Sequence, residues 1–222
     1  MDGAEDAGGG ADPIGPQVHM EIYASSRPQD GGTINQDAFL IGRGERPYAA
    51  LADGSGNAQQ VARRALGVFE RLIAEAEADQ VALFSTWENW VRLLDSALLG
   101  GPQSTFLAMA ALEGRVVGAC AGDSRLYLLT EEGEVRILTE EAPKARLGSG
   151  QVAPLAIHQR VRPGEVLLLM SDGAWTPLSL PKLQALRAKA LHRHPSELPA
   201  LILDEAGKHG RADDMTAVVV RC

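Results

Sequence analysis

Apolar runs that alternate with polar residues, or continue without a break, predict strands along much of the chain. The run VHMEIYAS begins at Val18, and AFLIG and YAALAD follow it after a polar loop. A second series contains TFLAMAAL, RVVGACAG, SRLYLLT, EVRILTE and EVLLLMSDG, and MTAVVVRC comes last. Runs of this length, rich in β-branched residues and bounded by turn residues, are typical of strands. The short turns EGR and EEG between apolar runs predict β-hairpins.

Four other segments carry apolar residues at helical spacing. Asn57 is a candidate N-cap for a first helix, whose apolar positions recur at three and four: Val61, Ala65, Phe69, Leu72, Ile73 and Ala76. A second helix is predicted at 85–98, with Trp87 and Trp90 on its apolar face, and two more at 182–191 and 196–206. Strands, two helices, more strands, two helices and a strand together predict a single α+β domain with helices packed outside antiparallel sheet.

Composition adds bounds to this picture. The chain has 222 residues, of which 45% are hydrophobic and 23% charged, which suits one globular domain. Residues 1–16 are acidic and Gly-rich, so we expect a flexible tail there and a folded domain at 17–222. The net charge of -8 argues against nucleic-acid or anionic-membrane partners.

Cysteine usage and hydropathy bear on the compartment. The two cysteines, Cys120 and Cys222, do not suggest a disulfide framework. No apolar run approaches the roughly 20 residues that span a bilayer. We therefore expect a cytoplasmic protein.

Five aspartates beside small or turn-forming residues are the main chemical feature. They are Asp37 in NQDAF, Asp53 in ADGSG, Asp123 in AGDSR, Asp172 in MSDG and Asp213 in ADDMT. Most of them adjoin predicted strands. Carboxylates gathered at strand ends are suitable ligands for Mg²⁺ or Mn²⁺, which prefer oxygen in octahedral geometry. The pattern predicts a metal-dependent hydrolase.

Each aspartate also has a simpler explanation. Asp before Gly is a common turn pair, and this applies to Asp53 and Asp172. Asp123 could likewise be part of a turn between two strands. ADDMT contains both Asp213 and Asp214, and we take Asp213 as the ligand candidate while leaving a one-residue shift open.

Two other features are weaker candidates. His192 and His194 lie in a polar stretch, where solvated side chains are expected. Ser171 precedes Asp172, but it has neither an adjacent histidine nor a nucleophile-elbow pattern.

Taken in order, the five windows resemble the metal-dependent Ser/Thr protein phosphatases of type 2C, the PPM family, in a compact bacterial form. The resemblance runs from Val18 to the last residue, through NQDAFLIG, ADGSG, STFLAMAALEGRVVGACAGDSRLYLL, VRPGEVLLLMSDG and GRADDMTAVVVRC. It implies a four-layer αββα sandwich, in which two stacked antiparallel sheets are flanked by helix pairs.

The same resemblance implies a site and a reaction. Asp53 would bridge two Mn²⁺ or Mg²⁺ ions, and a weaker third ion would bind at Asp123. The other expected ligands are Asp37, the carbonyl of Gly54, Asp172 and Asp213. A metal-bound water held by Asp37 and Asp53 would hydrolyse phosphoserine or phosphothreonine on a protein. The implied partner is a phosphoprotein that is a target of a bacterial Ser/Thr kinase.

The chain departs from the family pattern at several points. Gly32 stands where many relatives carry a phosphate-gripping arginine, and Arg27 is a candidate substitute. Gln36 replaces a usual glutamate, and no histidine lies near Asp53. The connection at 139–161 is too short for a large flap, as in compact phosphatases that act on phosphorylated regulators of sigma factors.

These departures keep two rivals open. One is a catalytically weak phosphatase-like domain that binds phosphoproteins or a regulator, and the other is a metal-dependent hydrolase of small phosphate esters.

Overall fold

The computed structural model describes residues 20–55, 60–190 and 194–222. The predicted tail at 1–16 and the residues Asn57 and His192 lie outside this part of the chain. The strands are β1 Glu21–Arg27, β2 Asp37–Gly42, β3 Tyr48–Asp53, β4 Phe106–Leu112, β5 Arg115–Ala121, β6 Arg125–Leu129, β7 Val135–Ile137, β8 Leu155–Arg160, β9 Val166–Met170 and β10 Met215–Arg221. The helices are α1 Gln60–Glu75, α2 Ala78–Val81, α3 Phe84–Leu98, α4 Asp172–Trp175, α5 Leu180–Ala190 and α6 Leu198–Ala206, with 3₁₀ turns at Pro195–Glu197 and Gly207–His209.

The strands form two antiparallel sheets of five strands each. One has the order β1-β10-β9-β6-β7 and the other the order β2-β3-β4-β5-β8. Alternation along each strand decides which residues enter the core between the sheets. The inward residues of β3 and β4 pack with Leu167 and Val218 from the other sheet; they are Ala49, Leu51, Leu107 and Met109.

The opposite face of the second sheet is built for close helix packing. Its strands present small residues there: Ala50, Ala52, Ala108, Ala110, Ala119 and Ala121. Large aromatic side chains from α1 and α3 fill the space above them, and Phe69 and Trp87 are fully buried. The Phe69 ring lies 5.2 Å from that of Phe106 between centroids, a distance typical of favourable aromatic pairs. Small strand residues and large helix residues together set the layer spacing.

The first sheet carries a helix layer of its own. Leu168, Met170 and Val219 of this sheet pack against Ile202 and Leu203 of α6. The architecture is therefore the expected four-layer αββα sandwich. The predicted hairpins are also confirmed, because β4 pairs with β5 across the EGR turn and β6 pairs with β7 across the EEG turn.

Two short α-helices and one strand of the described residues were not predicted from the sequence. The helices α2 and α4 are each a single turn, too short for an apolar period to show. The strand β8 lies in the connection after β7, at the edge of its sheet, and pairs only with β5. Its sequence LAIHQR is correspondingly polar. Residues 138–154, which precede β8, contain only turns and an isolated bridge at Leu147.

Within the described ranges, no helix is long and apolar enough to cross a lipid bilayer. Cys120 and Cys222 are both buried free cysteines.

Candidate metal centre

Strand register places the first two aspartates opposite each other. In the antiparallel pair of β2 and β3, Asp37 is the direct partner of Asp53. Opposed residues in such a pair have Cβ atoms roughly 5 Å apart. Both side chains are buried. The pairing therefore forces two carboxylates into one desolvated space.

The backbone around Asp53 is held firmly. Its N–H donates to Thr105 Oγ1 at 2.9 Å, and its carbonyl accepts from the N–H of Thr105 at 2.8 Å. Thr105 Oγ1 also bonds to Ser124 Oγ at 2.8 Å, which links β3 to the turn that carries Asp123. Asp53 and Asp123 thus belong to one connected network.

Asp172 joins the group through a close approach of two backbones. It follows β9 and opens α4, and Gly173 packs directly on the carbonyl of Asp214, just before β10. A Cβ at Gly173 would overlap that carbonyl, so the close approach requires glycine. Side-chain oxygens of Asp53, Asp123 and Asp172 all lie within 4.8 Å of one another.

Two buried carboxylate oxygens in this group have no hydrogen-bond partner in the described part of the chain. They are Asp37 Oδ1 and Asp172 Oδ1. The other oxygen of Asp37 accepts a hydrogen bond of 2.7 Å from Ser171 Oγ. A buried acceptor without a hydrogen-bond partner costs free energy, and a bound cation removes this cost. The donor set, all oxygen and largely carboxylate, fits Mg²⁺ or Mn²⁺.

The raised pKa values of the clustered aspartates also support a cation site. Burial, followed by the charge of Asp37 and Asp172, raises the pKa of Asp53 to about 8. Burial also raises the pKa of Asp37 to about 7, and the pKa of Asp172 is raised chiefly by burial. In the metal-free chain, bound protons therefore reduce the repulsion among these carboxylates, and divalent cations can replace the protons.

These shifts predict how the stability of the metal-free chain depends on pH. The folded pKa values of Asp37 and Asp53 lie above their ordinary value of 3.8, so their stabilising contribution is complete below about pH 4. It is lost as pH rises through 7 and 8. In a chelating buffer, we expect the melting temperature to fall between pH 6 and pH 9, and Mn²⁺ at pH 8 to restore it. A metal-free melting temperature that stays level or rises over this range would contradict the assignment.

The two aspartates of ADDMT have different surroundings. Asp214 is buried, and its two oxygens accept backbone N–H groups from Gln29 at 2.8 Å and Gln36 at 2.6 Å. Asp213 is exposed, and its Oδ1 accepts the N–H of Asp214 at 2.8 Å. The charge of Asp213 raises the pKa of Asp53 and of Asp172. Asp214 therefore joins loops together, while Asp213 remains the candidate ligand.

The other residues singled out in the sequence lie in simpler settings. Gly54 donates its N–H to the carbonyl of Gln36 at 3.3 Å and forms a bridge with Ser104. Arg27, the candidate substitute for the missing arginine, pairs with Asp204 at 2.6 Å on the surface. His194 is exposed and its ring nitrogen accepts the N–H of Ser196 at the start of a 3₁₀ turn. Trp87 and Trp90 are buried, as expected.

Arg146 is the site residue that the sequence did not reveal. Its Nη2 lies 3.0 and 3.2 Å from the two carboxylate oxygens of Asp123 and 3.8 Å from Asp53 Oδ2. No motif marks it, because its position depends on how distant segments pair. Its neighbour Leu147 bridges Ser104, which in turn bridges Gly54.

A family comparison agrees with this geometry. Residues 44–222 match the model of the Stage II sporulation protein E (SpoIIE) family. The chain belongs to this family. The matched range contains Asp53, Asp123, Asp172 and Asp213, and it begins after Asp37. None of the curated proteins matches the chain in a sequence comparison.

Solved structures of bacterial phosphatases share the fold. The S. agalactiae serine/threonine phosphatase is 18% identical with a TM-score of 0.81, and the alignment covers 91% of this chain and 99% of that one. The PstP catalytic domain in complex with two manganese ions is 22% identical, with a TM-score of 0.72 and coverage of 91% and 97%. The Mycobacterium tuberculosis phosphatase PstP/Ppp is 22% identical, with a TM-score of 0.73 and coverage of 91% and 98%. The predicted type 2C sandwich and the resemblance to bacterial phosphatases are confirmed.

Proposed function

We propose that this SpoIIE-family chain is a metal-dependent phosphatase that hydrolyses phosphoserine or phosphothreonine on a protein, with residues 17–222 as its catalytic domain. The observation that carries the proposal is the convergence of Asp37, Asp53, Asp123 and Asp172, from four separate chain segments, on one partly buried carboxylate cluster. Asp37 and Asp172 each keep a buried oxygen without a partner among the described residues, which suits cation binding. The manganese-bound PstP domain, which has the same fold, supports this interpretation.

Each residue then has a defined task. Asp53, between Asp37 and Asp172, would hold two divalent ions together, with Asp213 and the carbonyl of Gly54 completing the ligand set. When bound, such ions activate a water molecule and neutralise phosphate charge. Ser171 positions Asp37, because its hydroxyl donates to Asp37 Oδ2 and accepts the N–H of Thr216 at 2.9 Å. This bond fixes which oxygen of Asp37 faces the cluster.

A groove next to Asp37 is an argument for a protein substrate. It has a volume of about 400 Å³ and lies between β2 and α1, with Phe39, Arg63 and Glu70 among its lining residues. The Phe39 side chain is exposed, so the groove offers apolar contact together with both signs of charge. These are features that bind the residues flanking a phosphorylated side chain. The proposed phosphoprotein substrate is a target of a bacterial Ser/Thr kinase.

Hydrolysis of phosphate esters tests the proposal. With Mn²⁺, the chain is expected to hydrolyse p-nitrophenyl phosphate and phosphoserine peptides, and to prefer the peptides over small phosphate esters of metabolites. Efficient turnover of metabolite esters with none of peptides would favour the small-ester hydrolase. Binding of phosphopeptides without turnover across Mn²⁺, Mg²⁺ and other divalent ions would favour a binding module.

A further inference from the structure

Arg146 lies inside the carboxylate cluster and uses only part of its hydrogen-bonding capacity. Both hydrogen bonds to Asp123 come from Nη2. Nε and Nη1 donate to no other part of the described chain, and neither is a buried atom lacking a partner. The side chain is 21% exposed. A guanidinium held on one side therefore presents its remaining donors to solvent at the mouth of the site.

The backbone that carries Arg146 is fixed at several points. Leu147 exchanges two hydrogen bonds with Ser104, at 2.8 and 3.2 Å. The N–H groups of Gly148 and Gly150 donate to Oδ1 of the buried Asp95, at 2.7 and 3.2 Å. On the other side of Arg146, the carbonyl of Pro143 accepts the N–H of Gly122 at 3.2 Å, next to Asp123. Anchoring of this kind lowers the entropic cost of placing a side chain for binding.

The positive charge of Arg146 offsets part of the negative charge of the surrounding carboxylates. Asp37, Asp53, Asp123, Asp172 and Asp213, together with the neighbouring Asp214, would repel a phosphate dianion. Arg146 adds positive charge here, with its Nη2 3.0 Å from Asp123 Oδ1 and 3.8 Å from Asp53 Oδ2. A planar guanidinium can also donate two parallel hydrogen bonds to phosphate oxygens, which Lys cannot.

We propose that Arg146 binds the phosphoryl group of the substrate and so replaces the arginine that many relatives carry at the position of Gly32. In this proposal, Asp123 positions the Arg146 guanidinium. The proposal rests on the proposed phosphatase function. It also assigns Asp123 a role other than the expected third cation site. Each Asp123 oxygen already accepts a hydrogen bond from this guanidinium, so a cation bound there would compete with it.

The test compares Arg146→Gln and Arg146→Lys with the control Arg136→Gln, an exposed arginine of β7 whose side chain lies 3.8 Å from Glu134. Two quantities are measured on the full chain with Mn²⁺: the KM for p-nitrophenyl phosphate, and the Kd for inorganic phosphate by calorimetry. Arg146→Gln should raise both by roughly ten- to hundredfold, the value of one or two charge-assisted hydrogen bonds. Arg146→Lys should recover part of the loss, and Arg136→Gln should change neither constant.

Asp123→Asn tests the positioning role. It should raise the same two constants by less than Arg146→Gln does, and the double variant should be no worse than Arg146→Gln alone, because both changes act through one guanidinium. The number of bound Mn²⁺ ions should be the same in wild type and Asp123→Asn. Loss of one ion in Asp123→Asn, with an unchanged Kd for phosphate, would restore the third cation site and overturn the proposal.

Two further outcomes separate this inference from the phosphatase function itself. If the wild type hydrolyses phosphate esters but Arg146→Gln leaves KM and the phosphate Kd unchanged, the proposal for Arg146 fails and the phosphatase function stands. If the wild type binds inorganic phosphate through Arg146 and hydrolyses no ester, the proposal for Arg146 holds and the phosphatase function fails. A lower melting temperature of Arg146→Gln with an unchanged phosphate Kd would mark a purely structural ion pair.

Discussion

Asp53→Asn is expected to lower kcat/KM by at least about a thousandfold, or roughly 4 kcal/mol of transition-state stabilisation. Asp53 lies at the centre of the carboxylate cluster, opposite Asp37 and within 4.8 Å of Asp123 and Asp172. The variant removes the charge that would hold two cations together. Steady-state kinetics with p-nitrophenyl phosphate and Mn²⁺ measures the loss.

The same substitution should act on stability in the opposite direction. In the metal-free chain, burial raises the pKa of Asp53 to about 8, so its charge opposes folding above that pH. Metal-free Asp53→Asn should therefore melt at or above the temperature of the wild type at pH 8.5, and it should lose the stabilisation by Mn²⁺. The exposed Asp79 offers the control Asp79→Asn, which should retain both activity and the metal response. An Asp53→Asn variant that still turns over substrate at wild-type rate would refute the metal assignment.

Asp214→Asn and Asp213→Asn are expected to separate a structural aspartate from a ligand. In Asp214 each carboxylate oxygen accepts one backbone N–H, so an amide group at this position must direct NH₂ at one of the two donors. We expect the free energy of unfolding in a chelating buffer to fall by about 2 kcal/mol, because a buried donor loses its acceptor. Urea denaturation measures this change.

Asp213→Asn should leave stability nearly unchanged and weaken metal binding. Its one hydrogen bond, from the N–H of Asp214, can be kept by the amide oxygen, so stability should change by less than about 0.5 kcal/mol. Affinity for Mn²⁺ should fall, and with it the activity. If Asp213→Asn binds Mn²⁺ as tightly as wild type, the ligand role would pass to another residue and the one-residue shift left open in the sequence would need a new test.

Local pattern was sufficient to predict most of the fold. The run YAALAD has the strand bounds that its pattern indicates, and the helix at 85–98 begins only one residue earlier than expected. Strand β8 was not predicted because an edge strand needs few apolar residues. Its burial alternates weakly: Ile157 is buried in the core between the sheets, and Leu155 packs against that core while only partly buried. Hydrophobic periodicity reports burial, so it fails where an element is only half covered.

Some residues of the site could be predicted from local sequence pattern, and others could not. Asp53 and Asp172 adjoin strand ends that the sequence marks clearly, and their convergence follows once the sheets stack. Arg146 could not be found in this way, because its position depends on bridges from Leu147 to Ser104 and from Ser104 to Gly54. Such pairings between irregular segments leave no period in the sequence.

The most direct test of the carboxylate cluster is diffraction from crystals soaked in Mn²⁺, with anomalous difference maps recorded near the manganese absorption edge. The proposed ligand set predicts two peaks that share Asp53 as a ligand, with Asp172 and Asp213 beside one of them. Maps without a peak next to Asp53, in crystals whose chain is otherwise well ordered, would contradict the central claim that these separate segments fold together to hold divalent metal.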